Sequence, residues 1–516
     1  MPDCSLYGGK GGFLNADSSR RAFLRTCAAT VASVAISPSP LLWGSSPSGT
    51  RLWVTSKNRR SEEIEAPQWR DAHGDSFTGI RIDPAQRNQE ILGFGAAFTD
   101  ASCYLFQRMN AKDRAALLAE LFGPAGLRFS VARTCIGASD YSTSTYSFDD
   151  SPEPDPELSK FSVEHDRAYI LPSLRSARQV NPGLFLFSSP WSPPGWMKAG
   201  GTMLGGSMRK KYFAPYAEYF VKFLQAYSAE GVKIDAVTVQ NEVDTDQDGK
   251  MPAALWGQEY EVEFVKNHLG PALERASLDT KIWILDHNYN LWGRALDELS
   301  DPAVNKRVDG IAWHGYVGTA DAMTRVREAF PTKHNYWTEG GPSFNSPDYT
   351  TDWVKWSHSF TEILRNWAQC IVGWNLLLDE RGMPNIGPFS CGGVVTIDSQ
   401  SGKLTRSGQY WAFAHYSKVI DRGGTSDSLS RRIGGYRSRR RRKSPWQPCA
   451  GGYESRPATK AGMSAGRTGI GFDGGSGLRY NTDVVIDSPH GSDWKDVESR
   501  SDRWAYDRSR KVRKSA

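Results

Sequence analysis

Between residues 88 and 420 the chain alternates short apolar runs with longer stretches whose apolar positions recur every three or four residues. The short runs are Ile91–Thr99, Leu127–Cys135, Leu184–Pro190, Ile234–Gln240, Lys281–Leu285, Val308–Trp313, Asn335–Thr338 and Cys370–Leu376. Successive strand side chains point to opposite faces, so a nearly continuous apolar run predicts a strand buried on both sides. The longer stretches predict helices. The clearest is Tyr216–Tyr227, where Tyr219, Phe220, Phe223, Leu224 and Tyr227 line one stripe. Eight β–α repeats predict an α/β fold, a closed (β/α)8 TIM barrel rather than an open doubly wound sheet.

The pattern fails on both sides of this region. Residues 1–48 read as an export signal and linker. Ser19–Arg25 carries paired arginines, the apolar run Thr26–Ile36 follows, and Ser33-Val34-Ala35 offers a small-x-small cleavage site. A twin-arginine signal of this kind directs a protein to the periplasm or the exterior; the competing reading is a disordered basic N-terminus. Residues 49–87 hold one strand, Arg51–Ser56, which needs a partner sheet elsewhere, and then a polar linker. Residues 421–516 are rich in Gly, Ser, Arg and Asp, with eight basic residues in Arg431–Lys443, and predict a disordered tail. No stretch is apolar enough over about 18 residues to span a membrane.

Charge sharpens this division. The chain carries a net +6, but residues 422–516 hold 21 Lys+Arg against 10 Asp+Glu. The other 421 residues therefore hold 42 basic and 47 acidic groups, a net −5. Basicity confined to a tail argues against a nucleic-acid partner for the folded body. The 18 tryptophans suit sugar-stacking platforms and core positions alike. The seven cysteines form no CxxC pair and have no zinc spacing, which favours buried free thiols over a metal site.

A TIM barrel presents its chemistry at the C-terminal ends of its strands. The fourth run ends in Gln240-Asn241-Glu242 and the seventh in Trp337-Thr338-Glu339. A lone glutamate after a strand is usually a solvated loop residue. Two of them, 97 residues apart across three β–α units, match the paired carboxylates of a retaining glycosidase.

Seven segments then occur in register: Gly93–Ala101 (GFGAAFTDA), Ser130–Arg133 (SVAR), Ser139–Ser142 (SDYS), Ser189–Lys198 (SPWSPPGWMK), Gln240–Glu242 (QNE), Thr338-Glu339 and Gly373–Leu376 (GWNL). Together they resemble glycoside hydrolase family 30, nearest its glucosylceramidase branch. The resemblance implies a retaining β-glycosidase that hydrolyses a β-glucosidic bond, in a glycolipid or oligosaccharide, without metal or organic cofactor. It implies Glu339 as nucleophile, Glu242 as acid/base, and Asn241 as the contact to the substrate 2-hydroxyl. Asp100, Trp191 and Trp374 match the pocket for the terminal glucose, Tyr316 reaches the nucleophile, and Asn385 aligns with a rim contact. Arg133 and His314 support the site from below; Arg133 reads equally as a structural ion pair. Within the family an endo-β-1,6-glucanase or a xylan-active enzyme is the alternative, and outside it a non-catalytic carbohydrate binder.

The chain departs from the family at three places. His314-Gly315-Tyr316 stands where His-Trp-Tyr is usual, and Val243 stands where Pro follows the acid/base. The family also closes with a β-sandwich module, whereas the resemblance here stops just after Ile420. That break reads as a reading-frame shift near residue 421, leaving the accessory module incomplete. A basic tail that anchors to an anionic surface is the competing reading.

Overall fold

The computed structural model describes residues 4–5, 51–65, 70–71 and 79–432. The twin-arginine segment and residues 433–516 lie outside them. Eight strands close a parallel barrel. They are β1 (Gly93–Phe98), β2 (Val131–Cys135), β3 (Phe185–Ser189), β4 (Ala236–Thr238), β5 (Lys281–Asn288), β6 (Val308–His314), β7 (His334–Glu339) and β8 (Ala368–Asn375). Each lies in or overlaps one of the eight apolar runs.

Alternation within the strands separates two cores. On β2, Val131 joins Phe185, Phe187, Trp283, Ala312 and Tyr336 inside the barrel, while Ala132 faces outward into the layer between strands and helices. Trp283 and Tyr336 stack at 3.9 Å and plug the lower barrel. Arg133 also points inward, one step nearer the C-terminal end, which sets a buried cation directly above this apolar plug. Gly95 lets β1 approach β2, since a Cβ there would lie 1.7 Å from the Val131 carbonyl oxygen.

The helical stripe anticipated at Tyr216–Tyr227 lies within the helix Phe213–Ala229, whose apolar face is buried against the barrel's outer core. The helix Asp100–Arg108 starts where β1 ends. Its N-cap Thr99 accepts a hydrogen bond from the Ser102 amide and so supplies one of the first turn's missing partners.

β5 ends irregularly. Leu285 and Asp286 have φ of 71° and 44°, and the register with β6 shifts between Leu285 and His287. A bulge of this kind re-aims side chains. Here buried Glu261 accepts a hydrogen bond from the Leu285 amide at 3.0 Å and is itself held by Arg294, which also pairs with Glu298.

The segments around the barrel differ from the sequence reading. Leu52–Ser56 is not a lone strand: it pairs antiparallel with Arg59–Ile64, part of the stretch read as linker. This hairpin packs on the barrel through Thr55, hydrogen-bonded to His415 at 2.6 Å, and through Arg60 over the Trp353 ring. A twelve-residue strand, Gly79–Glu90, crosses the boundary placed at residue 87 and pairs antiparallel with Thr425–Arg432. The first part of the basic tail thus forms a strand, which its composition did not suggest. Cys103, Cys135 and Cys370 are buried free thiols, and Cys391 is free and half-buried.

Candidate active site

The strand ends deliver charged and hydroxylated side chains to one point. Arg133 comes from β2, Ser189 from β3, Thr238 from β4, Asp286 from β5, His314 from β6, Thr338 and Glu339 from β7, and Trp374 from β8. Asn241 and Glu242 lie just past β4. Glu242 has φ of 53°, a left-handed conformation unusual outside glycine, and its amide donates to the Asp286 carbonyl oxygen at 3.0 Å.

Asp286 is the hub of this layer. Its Oδ2 accepts from Arg133 at 2.6 Å, Thr238 at 2.7 Å and Ser189 at 2.8 Å. Its Oδ1 pairs with Thr338 Oγ1 at 2.8 Å and His314 Nε2 at 3.0 Å. Burial raises the carboxyl, but Arg133, His314 and the Thr238 hydroxyl outweigh it and hold Asp286 well below the usual range. Arg133 distributes its own donors to Asp286, to Glu339 at 2.5 Å, to Asn241 Oδ1 at 2.8 Å and to Ser189 at 3.1 Å. With Oδ1 fixed, the Asn241 amide is left with its NH2 to present.

The two glutamates nominated by the sequence meet across this layer. His314 is the residue common to both: its Nδ1 lies 3.3 Å from Glu242 Oε1 and its Nε2 lies 3.8 Å from Glu339 Oε2. Tyr316 donates to Glu339 Oε1 at 3.0 Å, and Gln247 donates to Glu242 Oε2 at 2.9 Å. Burial raises both carboxyls. At Glu242 the His314 hydrogen bond and the charges of His287 and His314 reverse this and bring it below the ordinary value. At Glu339 burial wins despite His314 and Arg133, and the charges of Glu242 and Asp286 add to it, so it stands above. The charge of Glu242 is thus one of the causes that hold Glu339 up. Burial opposes protonation of His314, but Glu339, Asp286 and Glu242 together push it up to about 9.

Trp191 and Trp374 form an aromatic wall, stacked at 5.0 Å with planes 20° apart, and the Arg133 guanidinium lies 4.6 Å from the Trp191 ring centre. Asp100 is buried with its carboxylate already engaged: Oδ1 accepts from the Thr143 amide at 2.7 Å, and Oδ2 pairs with His165 at 2.6 Å and Tyr169 at 2.8 Å. Asp140 is buried too, yet its Oδ1 has no hydrogen-bond partner. Burial, then the charges of Glu339 and Glu242, lift its carboxyl well above the usual range, so it lies within the field of the pair. Asp140 thus keeps a carboxylate oxygen without a partner, whereas both oxygens of Asp100 have partners. Asn385 spends its amide on its own loop, donating to Phe389 O and accepting from the Gly387 amide, both at 2.7 Å. That loop is tied to Asp140 by the Ile386 amide, 2.8 Å from the Asp140 carbonyl oxygen.

Sequence reasoning did not single out Asp286, His287, Asp140 or Gln247. Asp286 and His287 lie immediately past the run Lys281–Leu285, so the strand-end criterion that found Glu242 and Glu339 would have found them. Asp140 lies in the motif Ser139–Ser142, which by itself gives it no role. Gln247 carries no signal, since it is brought in by an irregular loop. At His314-Gly315-Tyr316, a Cβ on Gly315 would lie 2.7 Å from the Trp337 indole; the Trp337 ring occupies that space.

Residues 91–420 match the glycosyl hydrolase family 30 TIM-barrel domain. An endo-1,6-beta-D-glucanase of Neurospora crassa is 37% identical over 66% of this chain and 72% of its own length. The lysosomal acid glucosylceramidase of Mus musculus is 30% identical over 67% of this chain and 70% of its own. The solved structure of the endo-beta1,6-glucanase BT3312 superposes with a TM-score of 0.68 at 29% identity, covering 74% of this chain and 87% of that one.

Proposed function

The chain belongs to glycoside hydrolase family 30, and from that premise we propose that it is an endo-β-1,6-glucanase working by double displacement. The glucosylceramidase-like reading gives way on identity: 37% to the Neurospora glucanase against 30% to the mouse glucosylceramidase, over nearly equal shares of this chain. The observation that carries a two-carboxylate mechanism is the convergence of Glu242 and Glu339 on His314 in a cluster of buried charge.

In this reading Glu339 is the nucleophile. Arg133 and Tyr316 hold its two oxygens and fix its aim. Glu242 gives a proton to the departing glycosidic oxygen, then takes one from the water that releases the glycosyl-enzyme. Forming the covalent bond to Glu339 removes a negative charge from the site, which favours the switch of Glu242 from acid to base. In this reading the Asn241 NH2 meets the 2-hydroxyl, and Trp191 and Trp374 supply an apolar wall for a sugar face. Export through the paired arginines of Ser19–Arg25 fits an enzyme that meets polysaccharide outside the cell.

Incubation with linear β-1,6-glucan, glucosylceramide and a short aryl β-glucoside tests the substrate. Rapid release of β-1,6-linked oligosaccharides is expected; preference for the glycolipid would overturn the assignment. Azide tests the roles. Glu242→Ala should yield a β-glycosyl azide and Glu339→Ala an α-glycosyl azide, each with the parent turnover reduced at least about 10²-fold.

A further inference from the structure

Beside the catalytic pair the structure converges three metal-ligating atoms. Glu242 Oε1 lies 3.3 Å from His314 Nδ1 and 3.7 Å from His287 Nδ1. Both rings are oriented from behind. His287 Nε2 pairs with Asp244 Oδ1 at 2.5 Å, and His314 Nε2 pairs with Asp286 Oδ1 at 3.0 Å. A carboxylate on the outer nitrogen keeps the proton there when the ring is neutral and leaves the inner nitrogen able to bind a metal, the arrangement found behind metal-bound histidines. His287 is only 5% exposed, yet its Nδ1 has no hydrogen-bond partner. It is an unsatisfied buried ring nitrogen facing a carboxylate, costly unless something joins them.

We propose that Glu242, His287 and His314 form a site for a divalent cation of the zinc class, and that occupying it inhibits the enzyme. Ligand separations of 3.3 and 3.7 Å match the edges of a tetrahedron around zinc, roughly 3.4 Å for bonds of about 2.1 Å. Two imidazoles and one carboxylate are a donor set that zinc, cobalt and copper accept and magnesium or calcium do not. The surroundings favour a cation: Glu339, Asp286, Asp244 and Asp140 lie around the three ligands, with Arg133 opposing them. The fourth coordination position is left for water. A bound ion takes the Glu242 oxygen into coordination, so that carboxyl can no longer carry a proton to the glycosidic oxygen. Binding stands on this geometry alone; inhibition rests on Glu242 being the acid/base.

Cobalt(II) serves as the probe because a tetrahedral ion gives an intense visible absorption that an octahedral aqueous ion lacks. Titration of the full chain is expected to show one saturable tetrahedral band, removed by EDTA and displaced by zinc. His287→Asn should abolish it. Asp244→Asn, which alters only the half-exposed group behind His287, should weaken affinity about 10- to 100-fold. Zinc at saturation should lower glucan hydrolysis about 10²-fold or more, and EDTA should restore it. Absence of a saturable band, or its survival in both variants, overturns the site. Stoichiometric binding with turnover unchanged overturns the inhibition alone, and leaves the assignment of Glu242 to be judged by azide rescue.

Discussion

Asp100 and Asp140 are both buried aspartates near the aromatic wall, and they differ in what their carboxyl groups have left to offer. Asp100 holds His165, Tyr169 and the Thr143 amide together. Asp100→Asn is expected to cost about 1–3 kcal/mol in chemical denaturation, because a buried acceptor becomes a mismatched donor. Asp140→Asn removes no hydrogen bond from its free Oδ1, so its melting temperature should stay level while kcat/KM on β-1,6-glucan falls. The reverse pattern would favour Asp100 as the sugar contact. Asp166 offers a separate test. It accepts hydrogen bonds from Tyr146 and Tyr227, and burial pushes it up to about 7 against their pull. The fold favours its protonated form, so the associated stability is full below the ordinary aspartate range near about pH 4 and is lost as pH rises through about 7. Melting temperatures measured from about pH 4 to about pH 8 should therefore fall less steeply in Asp166→Asn than in the parent.

At the scale of elements, the bulge at the end of β5 does most to assemble the site. It turns Asp286 into the centre, where five donors meet it, and His287 toward Glu242. Its left-handed residues are held by Glu261, which is buried and paired with Arg294. Glu261→Ala would strand the Leu285 amide and leave Arg294 with only Glu298 and the Trp256 carbonyl oxygen. The expected loss is about 3 kcal/mol by urea unfolding, with lower activity at temperatures where the protein is still folded. A drop in stability with full activity would show that the bulge does not need this support.

Across the whole molecule, the family match ends at residue 420, just before the composition changes. Yet the chain continues as a strand, Thr425–Arg432, that covers the edge of Gly79–Glu90. An uncovered twelve-residue edge invites pairing with other chains. A protein ending at Gly424 should therefore melt lower and aggregate more readily than one ending at Arg432, as read by calorimetry and light scattering. Equal behaviour of the two would make the added strand dispensable.

The barrel and its two principal acids were determined by the sequence alone. Continuous apolar runs can only be buried on both faces, and eight of them close a barrel. A barrel in turn exposes the residues just past each strand, and Glu242 and Glu339 stand at two of those positions. The first strand of the hairpin at Leu52–Ile64 was legible, but its partner Arg59–Ile64 and the pairing of Gly79–Glu90 were not, because polar strands give no periodic apolar signal. The tertiary structure alone decided how buried charges are shared. A carboxylate's role depends on which donors reach it, and those donors come from segments far apart in the chain. Asp100 and Asp140 look alike in sequence. One is filled by His165 and Tyr169 and the other is left open, and only the packing of distant loops makes that difference.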